Sequence, residues 1–154
     1  MFLYFLALQI LNLGVIAPTA EGYFDLVINF AQVDVSFDYE ILIAVNDTNP
    51  ESVVLDLVAT KYTINGGSDI LFGSEQKITG HISYEEDIFE KTNPQITIRV
   101  HVVWDDSSTA SMNNAADTLT TITVLNQNKF AILDVTASFT QTPSITTPEP
   151  EEEP

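Results

Sequence analysis

Few side chains in this 154-residue sequence could do acid–base or metal chemistry. His81 and His101 are the two histidines, and there is no cysteine. Both histidines fall on the outward phase of predicted strands, and no Gly-x-Ser-x-Gly elbow presents a nucleophilic serine. The absence of cysteine excludes disulfides, thiol catalysis and Cys-based zinc sites together. We therefore predict that the protein is not an enzyme, has no catalytic residues and takes no cofactor.

Two acidic clusters could in principle hold a hard cation. One combines Asp105 and Asp106 with Asp117, and the other combines residues 85–87 with Glu90. Calcium takes about six to eight oxygen ligands, usually from a loop that alternates Asp or Asn and contains a Gly. Neither cluster has the spacing of an EF-hand loop, so we favour solvated acidic loops over a metal site. Asp105, Asp106 and Asp117 remain calcium candidates only.

Asn46-Asp47-Thr48 forms an Asn-x-Thr sequon in a predicted turn. Asn46 would be a glycosylation candidate if the chain is exported. The alternative is that these residues were selected for the backbone geometry of the turn. The sequence leaves both interpretations open.

The charge balance limits the class of partner. Twenty-two acidic residues against five Lys and Arg give a formal net charge of −17. Nucleic acids and anionic lipids require cations on the protein surface, so nucleic-acid binding is excluded as a function. The 45% hydrophobic content nevertheless suffices for one folded domain. We expect unidentified protein or membrane partners, with self-assembly left open.

Alternating polarity predicts the elements that must position these residues. In residues 95–104 every second side chain is apolar, which is typical of a half-buried strand. Trp104 and most other aromatic side chains fall on inward phases and are expected in the core, whereas Asp56 and Lys61 are expected to face solvent. No helical pattern of useful length occurs. Seven or eight short strands are predicted, at residues 23–35, 37–45, 53–64, 70–72, 77–84, 95–104, 119–125 and 130–140, and they indicate an all-β antiparallel sandwich.

Two turns flank the third of these strands. Asn49-Pro50 precedes it and Asn65-Gly66 follows it, with Pro50 fixing its own φ and Asn65 and Gly66 tolerating φ > 0. Because an Asn/Pro turn joins residues 37–45 to residues 53–64, we expect these two strands to be neighbours at the centre of one sheet.

The same stretch carries a family resemblance. An apolar strand ending in Asn46, the turn Asn49-Pro50, an apolar run and then Tyr-Thr-Ile-Asn65-Gly66 together resemble the WHy domain (water stress and hypersensitive response). This is the domain of the LEA14-like, group 2 late embryogenesis abundant proteins. The resemblance covers roughly residues 24–140. It implies a single immunoglobulin- or fibronectin-III-like sandwich of about seven strands and a role in desiccation or stress tolerance.

The two ends of the chain differ from the body, which we place at residues 23–140. Residues 1–20 are almost entirely apolar and are interpreted as a signal peptide or a membrane anchor, so the domain is expected to be secreted or membrane-anchored, outside the cytoplasm. The alternative is a buried strand or helix of the domain itself, and the lack of Lys or Arg before Lys61 favours this alternative. Residues 141–154, rich in Thr, Pro and Glu, are predicted to be a disordered acidic tail.

Two functions follow as expectations. The first is a non-enzymatic LEA14-like domain whose hydrated acidic surface protects other proteins or membranes during stress. The second is a cell-surface adhesion or filament subunit with an immunoglobulin-like sandwich. In that case the apolar N-terminal segment could complete the sheet of a neighbouring copy.

Overall fold

The computed structural model of the chain describes residues 18–19, 21–50, 52–107, 110, 114–127 and 131–143. These residues form two antiparallel sheets that pack face to face, a short π-helical turn at Tyr84–Ile88 and one α-helix, α1 (Asn114–Gln127). The strands within the described residues are β1 (Glu21–Asn29), β2 (Phe37–Val45), β3 (Leu57–Ile64), β4 (Ile70–Leu71), β5 (Lys77–Ile82), β6 (Gln95–Trp104) and β7 (Leu133–Gln141).

The strand order shows which of the described strands lie at the edges of the two sheets. The larger sheet has the order β1-β6-β3-β4 and the smaller sheet the order β5-β2-β7. Every pair of neighbours is antiparallel. The all-β prediction is therefore confirmed at the level of a two-sheet sandwich.

The core lies between the two sheets, where the predicted inward phases meet. In β6 the apolar side chains of every second residue are at most 9% exposed, and Val100 and Val102 are fully buried. In β2, Tyr39, Ile41 and Ile43 are buried in the same way. Burying each such side chain contributes about 1.5–3 kcal/mol, so these two strands contribute strongly to the stability of the sandwich.

A glycine makes room for one of the core aromatic rings. Gly80 in β5 lies directly opposite Tyr39 in β2. A Cβ at position 80 would overlap the Tyr39 ring. The pairing of a small residue with a large one lets the two neighbouring strands keep their normal spacing while the ring lies flat over the backbone.

The prediction that the second and third strands are neighbours in one sheet is wrong. β2 lies in the smaller sheet and β3 in the larger one, so the Asn49-Pro50 connection passes from one sheet to the other. The alternation of each strand identified its buried face correctly. That face packs against the opposite sheet, however, and alternation carries no information about which strand lies alongside.

The strand predicted at Leu119–Leu125 is also wrong, because these residues belong to α1. Thr, Ile and Val favour strands locally, but tertiary contacts override this preference. The hydroxyl groups of Thr121 and Thr123 donate to the carbonyl oxygens four residues earlier, at 2.9 and 2.8 Å. The helix thereby satisfies these polar side chains internally, while Leu119 remains 65% exposed.

Several strand boundaries and one burial prediction also need correction. The strand predicted at residues 77–84 ends at Ile82, because Tyr84 begins the π-helical turn. β1 ends at Asn29, whose Oδ1 accepts a hydrogen bond from the Ala31 N–H at 3.0 Å and closes a turn. β3 begins at Leu57 rather than at residue 53, and β7 begins at Leu133 rather than at residue 130. Asp56, expected to face solvent, is 6% exposed. It precedes β3, so the strand alternation used to orient it does not apply.

The predicted tail begins later than expected. Gln141 is the last residue of β7, and the Thr142 N–H donates to the Ser36 carbonyl at 3.0 Å. Residues 144–154 lie outside the described residues, as do residues 1–17. The predictions for the N-terminal segment and for most of the tail therefore fall outside the described part of the chain.

Candidate functional site

Both histidines lie on the outer faces of the sheets and contact carboxylates. His81 Nδ1 lies 2.7 Å from Asp38 Oδ1, across the β2–β5 pair. His101 Nδ1 lies 3.7 Å from Glu21 Oε1, across the larger sheet. Cross-strand pairs of this kind on an exposed face are normal surface features, and they place no imidazole inside a cavity.

The three calcium candidates have different surroundings. Asp105 lies in the turn after β6, where its Oδ1 accepts the Ser107 N–H at 2.9 Å. Asp106 is exposed in the same turn. Asp117, in the first turn of α1, is 1% exposed, and its Oδ1 accepts the Trp104 indole N–H at 3.1 Å. In the part of the chain that the structure describes, no group of three or more His, Asp or Glu side chains is placed to hold a metal ion.

Asp117 is electrostatically unusual. Burial raises the pKa of its carboxyl group, and the carboxylates of Asp106 and Asp56 raise it further. The hydrogen bond from Trp104 acts in the opposite direction. The second oxygen, Oδ2, is buried without a hydrogen-bond partner. Asp117 Oδ1 thereby fixes α1 against Trp104, and its buried surroundings disfavour the charged form of the carboxyl group.

The sequon asparagine closes the turn after β2. Asn46 Oδ1 accepts the Asn49 N–H at 2.8 Å and the Thr48 N–H at 3.1 Å. Asn46 Nδ2 donates to both carboxylate oxygens of Asp134 in β7, at 2.9 and 3.0 Å. The side chain thus ties this turn to the smaller sheet through Nδ2, the same atom to which an N-linked glycan would be attached. Its glycosylation stays a prediction.

The second predicted turn forms as the sequence indicated. Asn65 and Gly66 have φ values of 50° and 71°, and the Gly67 N–H donates to the Ile64 carbonyl at 2.9 Å. Two consecutive positive φ values fit a type I′ turn, which Asn-Gly favours. Asn65 Oδ1 also accepts the Thr97 N–H at 2.9 Å, so this side chain fastens the end of β3 to β6.

An apolar cleft lies between the first and last strands. It has a volume of about 660 Å³ and opens between the outer edges of β1 and β7. Phe30, Phe37 and Ile41 form part of its lining together with Phe139. Sequence reasoning missed this feature, because it arises only when the edges of two different sheets are brought side by side. Its volume is in the range of small-molecule and peptide binding sites.

Three cationic side chains on the surface form ion pairs with carboxylates. Lys61 Nζ lies 2.7 Å from Asp69, and Arg99 Nε lies 2.7 Å from Asp25. Lys77 contacts Glu75 at 3.2 Å and also Glu40. The hydrogen bonds with these carboxylates raise the pKa values of the three cations. Many acidic side chains remain without a cation, so the surface is strongly anionic.

Neither helix in the described residues is long and apolar enough to cross a bilayer.

No protein-family model, curated protein or solved structure matches this chain. The resemblance to the WHy domain therefore stays a prediction that rests on the residues quoted for it.

Proposed function

We propose that this protein is a non-enzymatic β-sandwich of the LEA14-like, WHy type that protects other proteins during water stress. Its acidic surface would keep a shell of water and counter-ions around the domain. Like-charge repulsion and excluded volume would then separate partly unfolded clients and slow their aggregation.

The observation that supports this proposal is the distribution of charge on the folded domain. Formal net charge is −17, and Lys61, Lys77 and Arg99 are already paired with acids. The unpaired excess is therefore anionic and is displayed on a folded scaffold. Such a surface repels most acidic proteins and attracts few specific partners, as a general shield requires.

The same proposal includes the subtype of the sandwich, which we take to be immunoglobulin-like. In an immunoglobulin domain, strand B lies beside A and E, and strand F lies beside C and G. Here β2 lies beside β5, and β6 lies beside β3, which corresponds to the B–E and C–F pairs. The first and last strands are interchanged, because β1 lies beside β6 and β7 beside β2. The common central pairs support an immunoglobulin-like core, with a different use of the two terminal strands.

The test is a client-aggregation assay during drying and rehydration. The full chain is added to an aggregation-prone enzyme, and light scattering and recovered activity are measured. A charge variant replaces seven acids that the described contacts do not use. These are Glu85→Gln, Glu86→Gln and Glu90→Gln, with Gln also at the four tail positions 149, 151, 152 and 153. We expect the variant to lose at least half of the protection, because the repulsive surface charge falls.

The matched control replaces the same seven residues with Asp, which keeps the charge. We expect this control to protect as well as the wild type. Equal protection by all three proteins would show that charge is not the mechanism. A wild-type chain that leaves client aggregation unchanged would overturn the protective function itself.

The adhesion or filament alternative would use the apolar cleft. It requires a segment of another copy to fill the space between β1 and β7. Size exclusion and electron microscopy of the full chain at several concentrations test it, since ordered polymers would support it and a monomer throughout would contradict it.

A further inference from the structure

We propose that residues 2–16 form an additional strand on the free edge of β1 and cover the apolar cleft of the same chain. This inference does not rest on the proposed protective function.

The first observation is that the cleft leaves core side chains half covered. In β7 the inward residues Val135, Ala137 and Phe139 are only partly buried, whereas the inward residues of the neighbouring β2 from Phe37 to Ile43 are at most 6% exposed. In β1, Ile28 is likewise only partly buried, although Phe24 and Leu26 are buried. The inner faces of both edge strands therefore have room for further apolar contact.

The second observation is that both sides of the cleft are formed by strands at the edges of their sheets. Among the described residues, β1 has one neighbour, β6, and β7 has one neighbour, β2. A long unpaired edge beside an apolar surface invites pairing with another strand, and folded proteins usually cover it. An added strand on β1 would bring its side chains over the opening toward β7.

The third observation is a turn directly before β1, at residues 18 and 19. Pro18 and Thr19 form a turn, Thr19 has φ of 67°, and its N–H donates to the Trp104 carbonyl at 3.0 Å. Proline at the second position and a positive φ at the third fit a type II turn. Such a turn sets residue 17 opposite residue 20, and the chain before it then runs antiparallel to β1.

This geometry fixes a register that the sequence can test. Opposite residues share a face of the sheet, so positions 15, 13 and 11 fall opposite 22, 24 and 26. They are Val15, Leu13 and Leu11, all apolar, and they take the inward face shared with Phe24 and Leu26. The intervening positions are Gly14 and Asn12, which take the outward face. From residue 11 to residue 15 the alternation therefore agrees with the turn, whereas in the same register Ile16 and Ile10 face outward and Gln9 faces inward, opposite Ile28.

The length is also sufficient. β1 has nine residues and spans about 30 Å. Residues 2–16 span about 50 Å when extended, so the segment can follow the whole of β1. The segment would then be part of the domain, which is the alternative to a signal peptide or a membrane anchor.

The first experiment is a cysteine pair in the full chain, which has no cysteine of its own. Ile10→Cys and Val27→Cys introduce thiols at positions that the register places opposite each other on the outward face. Val27 is 48% exposed. Cα atoms of directly opposite residues lie within the roughly 4.4–6.8 Å that a disulfide spans. After mild oxidation of dilute protein, we expect an intramolecular disulfide in a monomer, detected by non-reducing electrophoresis and peptide mass spectrometry.

The matched control is Ile16→Cys with Val27→Cys. Both positions are outward in the register, but they are six residues apart along the strands, about 20 Å, which no disulfide spans. We expect oxidation at least 10-fold slower than for the opposed pair. Equal rates for both pairs, no disulfide, or disulfide-linked dimers alone would each overturn the proposal, and dimers would point to a neighbouring copy as the occupant. An intact mass without residues 2–16 would overturn it as well.

A second measurement tests the assigned faces by thermal unfolding. Leu13→Lys places a charge on the inward face and is expected to lower the midpoint by about 5 °C or more. Asn12→Lys adds the same charge on the outward face, opposite Asp25, and is expected to leave the midpoint within about 1 °C. Equal effects of the two substitutions would contradict the register.

Discussion

Two aspartates illustrate how the surroundings of a residue decide its charge. On the outer face of the larger sheet, Asp25 accepts hydrogen bonds from Arg99 Nε and Nη2 at 2.7 and 2.8 Å, and the pKa of Asp25 is lowered. The Arg99 guanidinium also lies 4.1 Å from the centre of the Tyr23 ring. Asp117, by contrast, is buried, and its pKa is raised. The two residues therefore influence stability in opposite directions as the pH changes.

The sign of each effect follows from proton binding. For Asp25 the folded pKa lies below the unfolded value, so its stabilising effect is present above that unfolded value and is lost as the pH falls through the folded pKa. For Asp117 the folded pKa lies above the unfolded value. Its contribution is fully present below about pH 3.8 and is lost as the pH rises through the folded pKa. Above that folded pKa, the charge of Asp117 is thus a cost to the fold.

We predict that Asp117→Asn unfolds at a higher temperature than the wild type at pH 7. The Asn side chain keeps an oxygen that accepts the Trp104 N–H and removes the buried charge. The first turn of a helix favours a carboxylate by only about 0.3–1 kcal/mol, whereas burying an ion costs several kcal/mol. The advantage of the variant should disappear as the pH falls below about 3.8, which melting curves across the pH range would measure.

Asp117→Ala is the companion variant at the same position. It removes the acceptor and leaves the Trp104 indole N–H buried without a partner, at a cost of about 1–3 kcal/mol. An Asn variant as unstable as the Ala variant at pH 7 would show that the hydrogen bond to Trp104 is not what Asp117 contributes.

At the level of elements, α1 is held by a small cluster separate from the main core. Trp104, Val54 and Leu57 form this Trp104 cluster and are at most 4% exposed. Val124 of α1 packs against it, and Asp117 of α1 binds the indole nitrogen of Trp104. A helix whose residues favour strands is thereby fixed at two points about two turns apart.

We predict that Val124→Ala destabilises the domain by about 1 kcal/mol, because the Val124 side chain is partly buried against the Trp104 cluster. Leu119→Ala, in the same helix, should change the stability by less than about 0.5 kcal/mol, because Leu119 is 65% exposed. Chemical denaturation followed by Trp104 fluorescence measures both. A larger loss for Leu119→Ala than for Val124→Ala would contradict the orientation of α1.

At the level of the whole molecule, charge and stability oppose each other. A net charge of −17 on a domain of this size keeps different molecules apart. The carboxylates of one molecule also repel one another, which destabilises its fold. The apolar core between the sheets must outweigh this repulsion. The same anionic surface that supports the protective proposal should therefore make the stability sensitive to salt.

We predict that raising the sodium chloride concentration from about 10 mM to about 150 mM increases the melting temperature. The Debye length falls from about 30 Å to about 8 Å over this range, so repulsion between distant acids is screened. The charge variant with seven Gln substitutions should show a smaller increase than its Asp control. A melting temperature that falls with salt would mean that ion pairs such as Lys61–Asp69 outweigh the repulsion.

The location of the protein is a further property of the whole chain. Export or anchoring remains a prediction, and it competes with the strand proposed for residues 2–16. Fractionation of cells combined with the intact mass of the purified protein would distinguish the two. A membrane-bound or shortened chain would support the anchor or the signal peptide, and a soluble chain that retains residues 2–16 would support the strand.

The sequence by itself determined the features that depend on neighbouring residues. Alternation identified β6 at its observed bounds and the buried phases of β1 and β2, because a strand with one apolar side can bury only that side. Asn65-Gly66 determined its turn, because few other residues adopt two positive φ values in succession.

Tertiary structure alone decided how these parts are arranged. β2 and β3 lie in different sheets. Alternation could not predict this, because the apolar face of a strand can pack against any apolar surface across the sandwich. Contacts with Trp104 made a helix of residues that locally favour a strand, and packing outweighs such preferences. The burial of Asp117 and the cleft between β1 and β7 likewise depend on residues far apart in the chain, because only the folded backbone brings them together.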